Sequence, residues 1–146
     1  MKKTLITGGL IGIALVGGFF LLNNYIYQEK QADTENASLT TQTWTWVAAL
    51  YNDGREIVPQ DPQAFTLSFG TDGSFTATTD CNQMNGSYTT EGDKITFGTI
   101  GMTKMFCEGS QEATFSQLLT DTQTYHIADG ELIFDLKFDS GSVMFR

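Results

Sequence analysis

Hydrophobic and polar positions divide the chain into three unlike stretches. Leu5 to Leu22 is apolar or small almost throughout, and no charged residue falls between Lys3 and Glu29. Gln28 to Thr41 is polar or small apart from Leu39. From Gln42 onward the pattern has period two, the signature of strands with one buried face. Trp44, Trp46, Ala48 and Leu50 alternate with Thr45, Val47 and Ala49. The same alternation carries Phe65, Leu67 and Phe69, then Phe75 and Ala77, then Tyr88 within 86–90, and then Lys94 to Phe97. It resumes at Tyr125 and Ile127, at Leu132, Phe134, Leu136 and Phe138, and at Val143 and Phe145. Turn signals separate the runs: Asn52-Asp53-Gly54, Asp72-Gly73, Glu91-Gly92-Asp93, Asp129-Gly130 and Asp139-Ser140-Gly141.

One segment breaks the period. Between Gln111 and Gln123, Phe115, Leu118, Leu119 and Thr122 share one helical face. Ser110 is the expected N-cap, and Glu112 complements the helix dipole. Seven or eight short strands with one late helix predict an all-β, mainly antiparallel fold. The expected form is a small curled sheet or partly open barrel, with the helix packed on it and an N-terminal transmembrane helix before it. Trp44, Trp46, Phe65, Phe69, Phe75, Phe97, Phe134 and Phe145 are expected to point inward and fill the core. Met102, Met105 and Phe106 are expected at an adaptable mouth.

The apolar run of 18 residues spans about 27 Å as a helix, close to the hydrocarbon thickness of a bilayer. It is longer than a signal-peptide core and lacks a small-x-small cleavage site directly after it. Lys2 and Lys3 orient it with its N-terminus in the cytoplasm, and Tyr25 and Tyr27 fall where an interfacial belt sits. The expected organisation is an uncleaved signal-anchor over 1–27, a flexible linker over 28–41, and one domain over 42–146. The domain then lies in the periplasm or outside the cell, attached to the membrane through residues 5–22. The linker reaches at most about 46–50 Å.

Charge narrows the partners. The chain holds 8 Lys and Arg against 17 Asp and Glu, a net charge of -9. From Gln42 onward the counts are 5 and 14. Such a domain is repelled by phosphates, so no nucleic-acid partner is expected. With 2 Cys and 1 His, a four-ligand zinc site is not available, and neither a metal nor a cofactor is expected.

On the export side, Cys81 and Cys107 are most simply a disulfide; the alternative is two reactive thiols. His126 is the only imidazole and lies between Tyr125 and Ile127, on the exterior face of that strand. The acids Asp53, Asp72, Glu91, Asp93, Asp129 and Asp139 fall at turns, where turn chemistry explains them. No nucleophile, acid–base pair or phosphate-binding motif stands out, and no enzymatic activity is expected.

The stretch Cys81-Asn82-Gln83-Met84-Asn85-Gly86-Ser87-Tyr88, followed by Thr103-Lys104-Met105-Phe106-Cys107, resembles the META/HslJ domain family. The opening Trp44 and Trp46, the segment Phe69 to Phe75 and the closing hairpin Leu132 to Phe145 also fit. Asp80 stands where the family more often has Gly. The resemblance implies a compact β-rich domain on an exported or membrane-associated protein, with links to heat shock and antibiotic tolerance. It carries over no catalytic residue. Asn82, Gly86, Tyr88, Thr103 and Met105 are expected to be structural: Asn82 and Gly86 building a turn, Met105 packing, and the cysteines stapling the fold. The expected role is non-catalytic binding in a stress-related envelope setting, with an unknown protein partner. The alternatives are a carrier of a lipid or other hydrophobic small molecule, and an inhibitor of an envelope hydrolase.

Overall fold

The computed structural model of the protein describes residues 39–146. The expected anchor and nearly all of the linker lie outside the described residues. Among those described, no helix is long and apolar enough to cross a membrane.

The strands are β1 (Thr43–Tyr51), β2 (Glu56–Ile57), β3 (Thr66–Phe69), β4 (Ser74–Thr78), β5 (Gln83–Glu91), β6 (Lys94–Phe97) and β7 (Gly101–Met102). Helix α1 (Glu112–Asp121) comes next, then β8 (Thr122–Ala128), β9 (Glu131–Leu136), a short 3-10 turn (Lys137–Asp139) and β10 (Gly141–Phe145). The ring order is β1-β3-β4-β5-β6-β8-β9-β10, and β10 returns to pair with β1. All pairings are antiparallel. These eight strands close into a barrel, which leaves less free edge than an open sheet would. β2 adds to β1, and β7 adds to β5.

Alternating strand direction gives the barrel two distinct ends. At one end the chain enters at Thr43 and leaves at Arg146, beside the turns at 70–73, 92–93 and 129–130. The other end carries residues 52–65, the 79–82 loop, the segment from Gly98 through α1, and the 137–140 turn. We call this the helix end.

A core of rings links the two ends. Phe115 of α1 lies 5.5 Å from Trp46, 5.3 Å from Phe65 and 6.3 Å from Phe145, centroid to centroid. Phe145 continues to Phe134 at 5.1 Å, Phe134 to Phe97 at 5.8 Å, and Phe97 to Phe75 at 5.1 Å. Trp46, Phe65, Phe115, Phe134 and Phe145 are all fully buried. The helix closes its end by inserting Phe115, Leu118 and Leu119. Trp46 Nε1 is buried among these rings without a hydrogen-bond partner among the described residues.

Several local expectations change. β1 shifts register between Trp46 and Ala48, so Ala48 and Ala49 are both buried and Leu50 is turned outward. Such a bulge re-aims successive side chains, which simple alternation cannot foresee. Leu39, assigned to the linker, is fully buried, and its carbonyl accepts a 2.9 Å bond from Trp44 Nε1. The packed unit therefore begins before Gln42. Phe138 was expected in a strand, but β9 stops at Leu136; Phe138 sits in the 3-10 turn with φ 61° and is 96% exposed. The helix ends at Asp121, because Thr122 takes extended backbone angles and starts β8.

Gly86 does not form a turn. It lies inside β5 opposite Phe75, and a Cβ there would meet Phe75 Cε1 at 2.7 Å and Thr99 O at 2.8 Å. The missing side chain lets an aromatic ring and a neighbouring backbone approach the strand.

Two substitutions test this packing. Phe115→Ala is expected to lower stability by about 3–5 kcal/mol, read from the urea midpoint. Gly86→Ala is expected to cost about 1–3 kcal/mol by displacing Phe75. Unchanged midpoints would contradict the packed interior.

Candidate functional site

Four consecutive residues between β4 and β5 hold the segment that leads into α1. Thr79 Oγ1 accepts the N–H groups of Cys81 (3.1 Å) and Asn82 (2.8 Å) and lies 2.9 Å from Glu112 Oε2. Asp80 accepts the Gln111 N–H at 2.8 Å and the Ser110 hydroxyl through its other oxygen. Cys81 is joined to Cys107 by a disulfide. Asn82 completes the set.

Asn82 is only 4% exposed, and its amide is satisfied on every side. Oδ1 accepts the Thr103 hydroxyl at 2.7 Å and the Met105 N–H at 2.9 Å. Nδ2 donates to Met105 O at 3.0 Å and to Glu112 Oε1 at 3.1 Å. A buried amide with all its bonds made is a strong positional constraint. Both backbone polar groups of Met105 are thus held by one side chain.

That grip turns two apolar side chains toward solvent. The Met105 side chain is 63% exposed and Phe106 is 92% exposed. Met105 was expected to pack; instead its backbone is fastened and its side chain is presented. Beside it is an open surface depression of about 400 Å³ lined by Thr78, Thr79, Cys81, Asn82, Gln83, Thr103 and Met105. It is a surface feature, not the mouth of an interior cavity.

The structure brings Cys81, Asn82, Thr103, Met105 and Cys107 together, but not Gly86 and Tyr88. Tyr88 packs edge-on against Phe69 at 4.8 Å, and its hydroxyl donates to Gly70 O at 2.9 Å. Burial, with the nearby Asp72 carboxylate, pushes the Tyr88 phenol above its usual pKa. Thr79, Asp80 and Glu112 complete the cluster, and nothing in the local sequence marks them for it. Glu112 reads from the sequence only as a dipole partner. The N-cap position is Gln111, which makes no side-chain cap bond, but Ser110 just before it still serves the helix start: its Oγ accepts the Glu112 N–H at 3.1 Å. Asp80, distant in sequence, adds a second hold by accepting from both Ser110 and the Gln111 N–H. Sequence spacing carries no direct signal for such a remote cap.

The chemistry available here is limited. With both cysteines in the disulfide there is no free thiol. His126 is exposed on the barrel wall, 3.7 Å from Asp135, and takes no part in the cluster. Among the described residues, no group of three His, Cys, Asp or Glu side chains is placed to hold a metal ion. The arrangement fastens a loop and presents apolar side chains.

Asn82→Ala is expected to cost about 1–3 kcal/mol, because the Met105 and Glu112 groups lose buried partners. Replacing both cysteines by Ser is expected to cost about 3–4 kcal/mol from the lost loop constraint. In hydrogen exchange, both variants should speed the amides of 103–112 and leave β9 and β10 protected. Uniform acceleration across the barrel would show that the cluster supports the whole fold rather than this segment.

The sequence matches the META domain family model over residues 37–145. No curated protein sequence matches it significantly. Among solved structures, it is similar to a protein from Burkholderia xenovorans, with a TM-score of 0.61 and 22% identity; the match covers 75% of this chain and 83% of that one. It is also similar to a DUF4847 family protein from Bacteroides vulgatus, with a TM-score of 0.58 and 16% identity, covering 73% of this chain and 92% of the other. Both likenesses concern the fold. A match from residue 37 to residue 145 spans nearly all of the barrel and every residue of this cluster, and the chain belongs to the META domain family.

Proposed function

We infer that the protein is a membrane-tethered META domain facing outward, which acts by binding a partner rather than by catalysis. The observation that carries this reading is the clamp: a buried amide, a disulfide and a remote cap together fix one loop, and that loop exposes Met105 and Phe106. Exposed apolar side chains on a rigid support are the usual make-up of a contact surface. The tether is supported by the apolar run at 5–22 with Lys2 and Lys3 before it. The disulfide suits an oxidising compartment. A stress-related envelope role rests on family analogy alone.

The filled barrel weighs against the carrier alternative, since ligand-sized space inside is taken up by rings. Inhibition of an envelope hydrolase is favoured by one observation: Phe106 is a protruding, nearly bare anchor on a fastened loop.

In the native host, a photo-crosslinking amino acid in place of Phe106 is expected to give a discrete adduct, competed by excess unlabelled protein. The same group in place of Asp129, at the opposite end, is expected to give none. No adduct at Phe106, or equal adducts at both sites, would remove the binding reading. The tether is checked separately: the full chain should stay with membranes after alkaline carbonate extraction and retain its N-terminal residues by mass. Release of a shortened chain would contradict it.

A further inference from the structure

β6 and β7 run beside β5 as nearly one strand. Lys94 to Phe97 pair with Tyr88 to Glu91, and Gly98 N–H donates to Ser87 O at 2.8 Å. Gly101 and Met102 then pair with Asn85 and Met84, and Thr103 N–H donates to Gln83 O at 3.2 Å. The opposite edge of this strand is almost unused. Its ladder to β8 has the single register Lys94–Thr124, with Tyr125 N–H donating to Asp93 O. The cause lies in the connection: β8 begins at Thr122 directly after α1, so the chain arrives as a helix where a strand partner would lie. Beyond Lys94, no strand among the described residues pairs the outer edge of β6 and β7.

Free edges are ordinarily blunted by charge or proline. From Ile95 to Phe106 there is no proline, and Lys104 is the only charge. Phe97 and Ile100 tuck partly against the core, whereas Thr96, Thr99, Gly101, Met102 and Thr103 are exposed. The edge leads straight to Met105 and Phe106. Among the described residues, the other exposed large apolar side chains, Leu50, Val58 and Phe138, also lie at the helix end. Around the loop stand the carboxylates of Asp80, Glu108 and Glu112 against the one ammonium of Lys104.

We propose that the edge from Gly98 to Thr103, past the part of β6 that α1 flanks, with Met102, Met105 and Phe106 as apolar contacts, takes an extended, basic polypeptide segment by strand addition. The inference rests on the binding reading and names the chemistry of the partner. Main-chain hydrogen bonds to the unpaired edge supply affinity, and alternate side chains of the added strand reach the apolar residues. The excess of carboxylates selects lysine and arginine on the segment. A second copy would bring one acidic domain, with 14 acids to 5 bases from Gln42 onward, against another. An anionic lipid surface meets the same repulsion.

The test uses the full chain in non-ionic detergent and a fluorescein-labelled peptide of about ten residues alternating Lys with Val. Fluorescence anisotropy is expected to show saturable binding that weakens with salt. A Glu–Val twin, and a Lys–Val peptide N-methylated at alternate residues, are each expected to bind at least about tenfold more weakly. The double variant Met105→Ser/Phe106→Ser is expected to weaken binding by about tenfold with its melting temperature unmoved, as both side chains are exposed. Equal binding of the N-methylated peptide would mean adsorption without a ladder and overturn the proposal. Equal binding of the Glu–Val twin, Phe106-dependent binding to phosphatidylcholine vesicles, or a Phe106-dependent dimer would each overturn it too. If the Lys–Val peptide fails while the competed Phe106 adduct persists, strand addition falls and the binding reading stands. If both fail, both fall.

Discussion

The antiparallel return of β10 to β1 is the constraint on which the folded unit depends. Once the ring is closed, every inward side chain must share one bounded interior, and that interior has to be filled to the density of a solid. Phe115, Trp46 and Phe65 meet within 5.2–5.5 Å at one end, and Phe145, Phe134, Phe97 and Phe75 continue the packing. Helix α1 is present because a barrel end packed with rings needs an apolar cover, which Phe115, Leu118 and Leu119 provide. Trp46 Nε1, without a hydrogen-bond partner among the described residues, sits in this ring cluster, where aromatic packing favours edge-to-face contacts.

The cover in turn has to be fastened, and 79–82 does this with four kinds of interaction in successive residues. A hydroxyl, a carboxylate, a disulfide and a buried amide each grip a different point between Thr103 and Glu112. Lys137 Nζ closes the far end of the helix by donating to Thr120 O at 2.7 Å. Rigidity at the helix start fixes the exposed loop before it. Arrival of β8 from a helix, rather than from a strand, leaves the outer edge past β6 without a strand partner among the described residues. Closure, cover and exposed surface are therefore consequences of one topology.

Much of this was legible in the chain. Period-two apolar positions marked the strands, and the i, i+3, i+4 spacing of Phe115, Leu118 and Leu119 marked the helix, because those patterns are local. The pairing of Cys81 with Cys107 came from the expected compartment and the count of cysteines. Non-local features were hidden. The bulge after Trp46, the end of β9 before Phe138 and the role of Gly86 under Phe75 depend on neighbours brought by the fold. Asn82 and Thr103 stood out through family resemblance, but the remote cap by Asp80 left no mark in local spacing. Met105 reads as a core residue by type; its exposure comes from a backbone held in place by Asn82.

The central claim is that the barrel is a filled support and that its contacts are made from the outside. Methyl NMR of the full chain during titration with a twelve-carbon fatty acid tests this most directly. The account predicts that the methyl signals of the buried Leu67, Leu132 and Val143 stay in place at saturating ligand. Saturable shifts of those signals would show a ligand inside the barrel and contradict it.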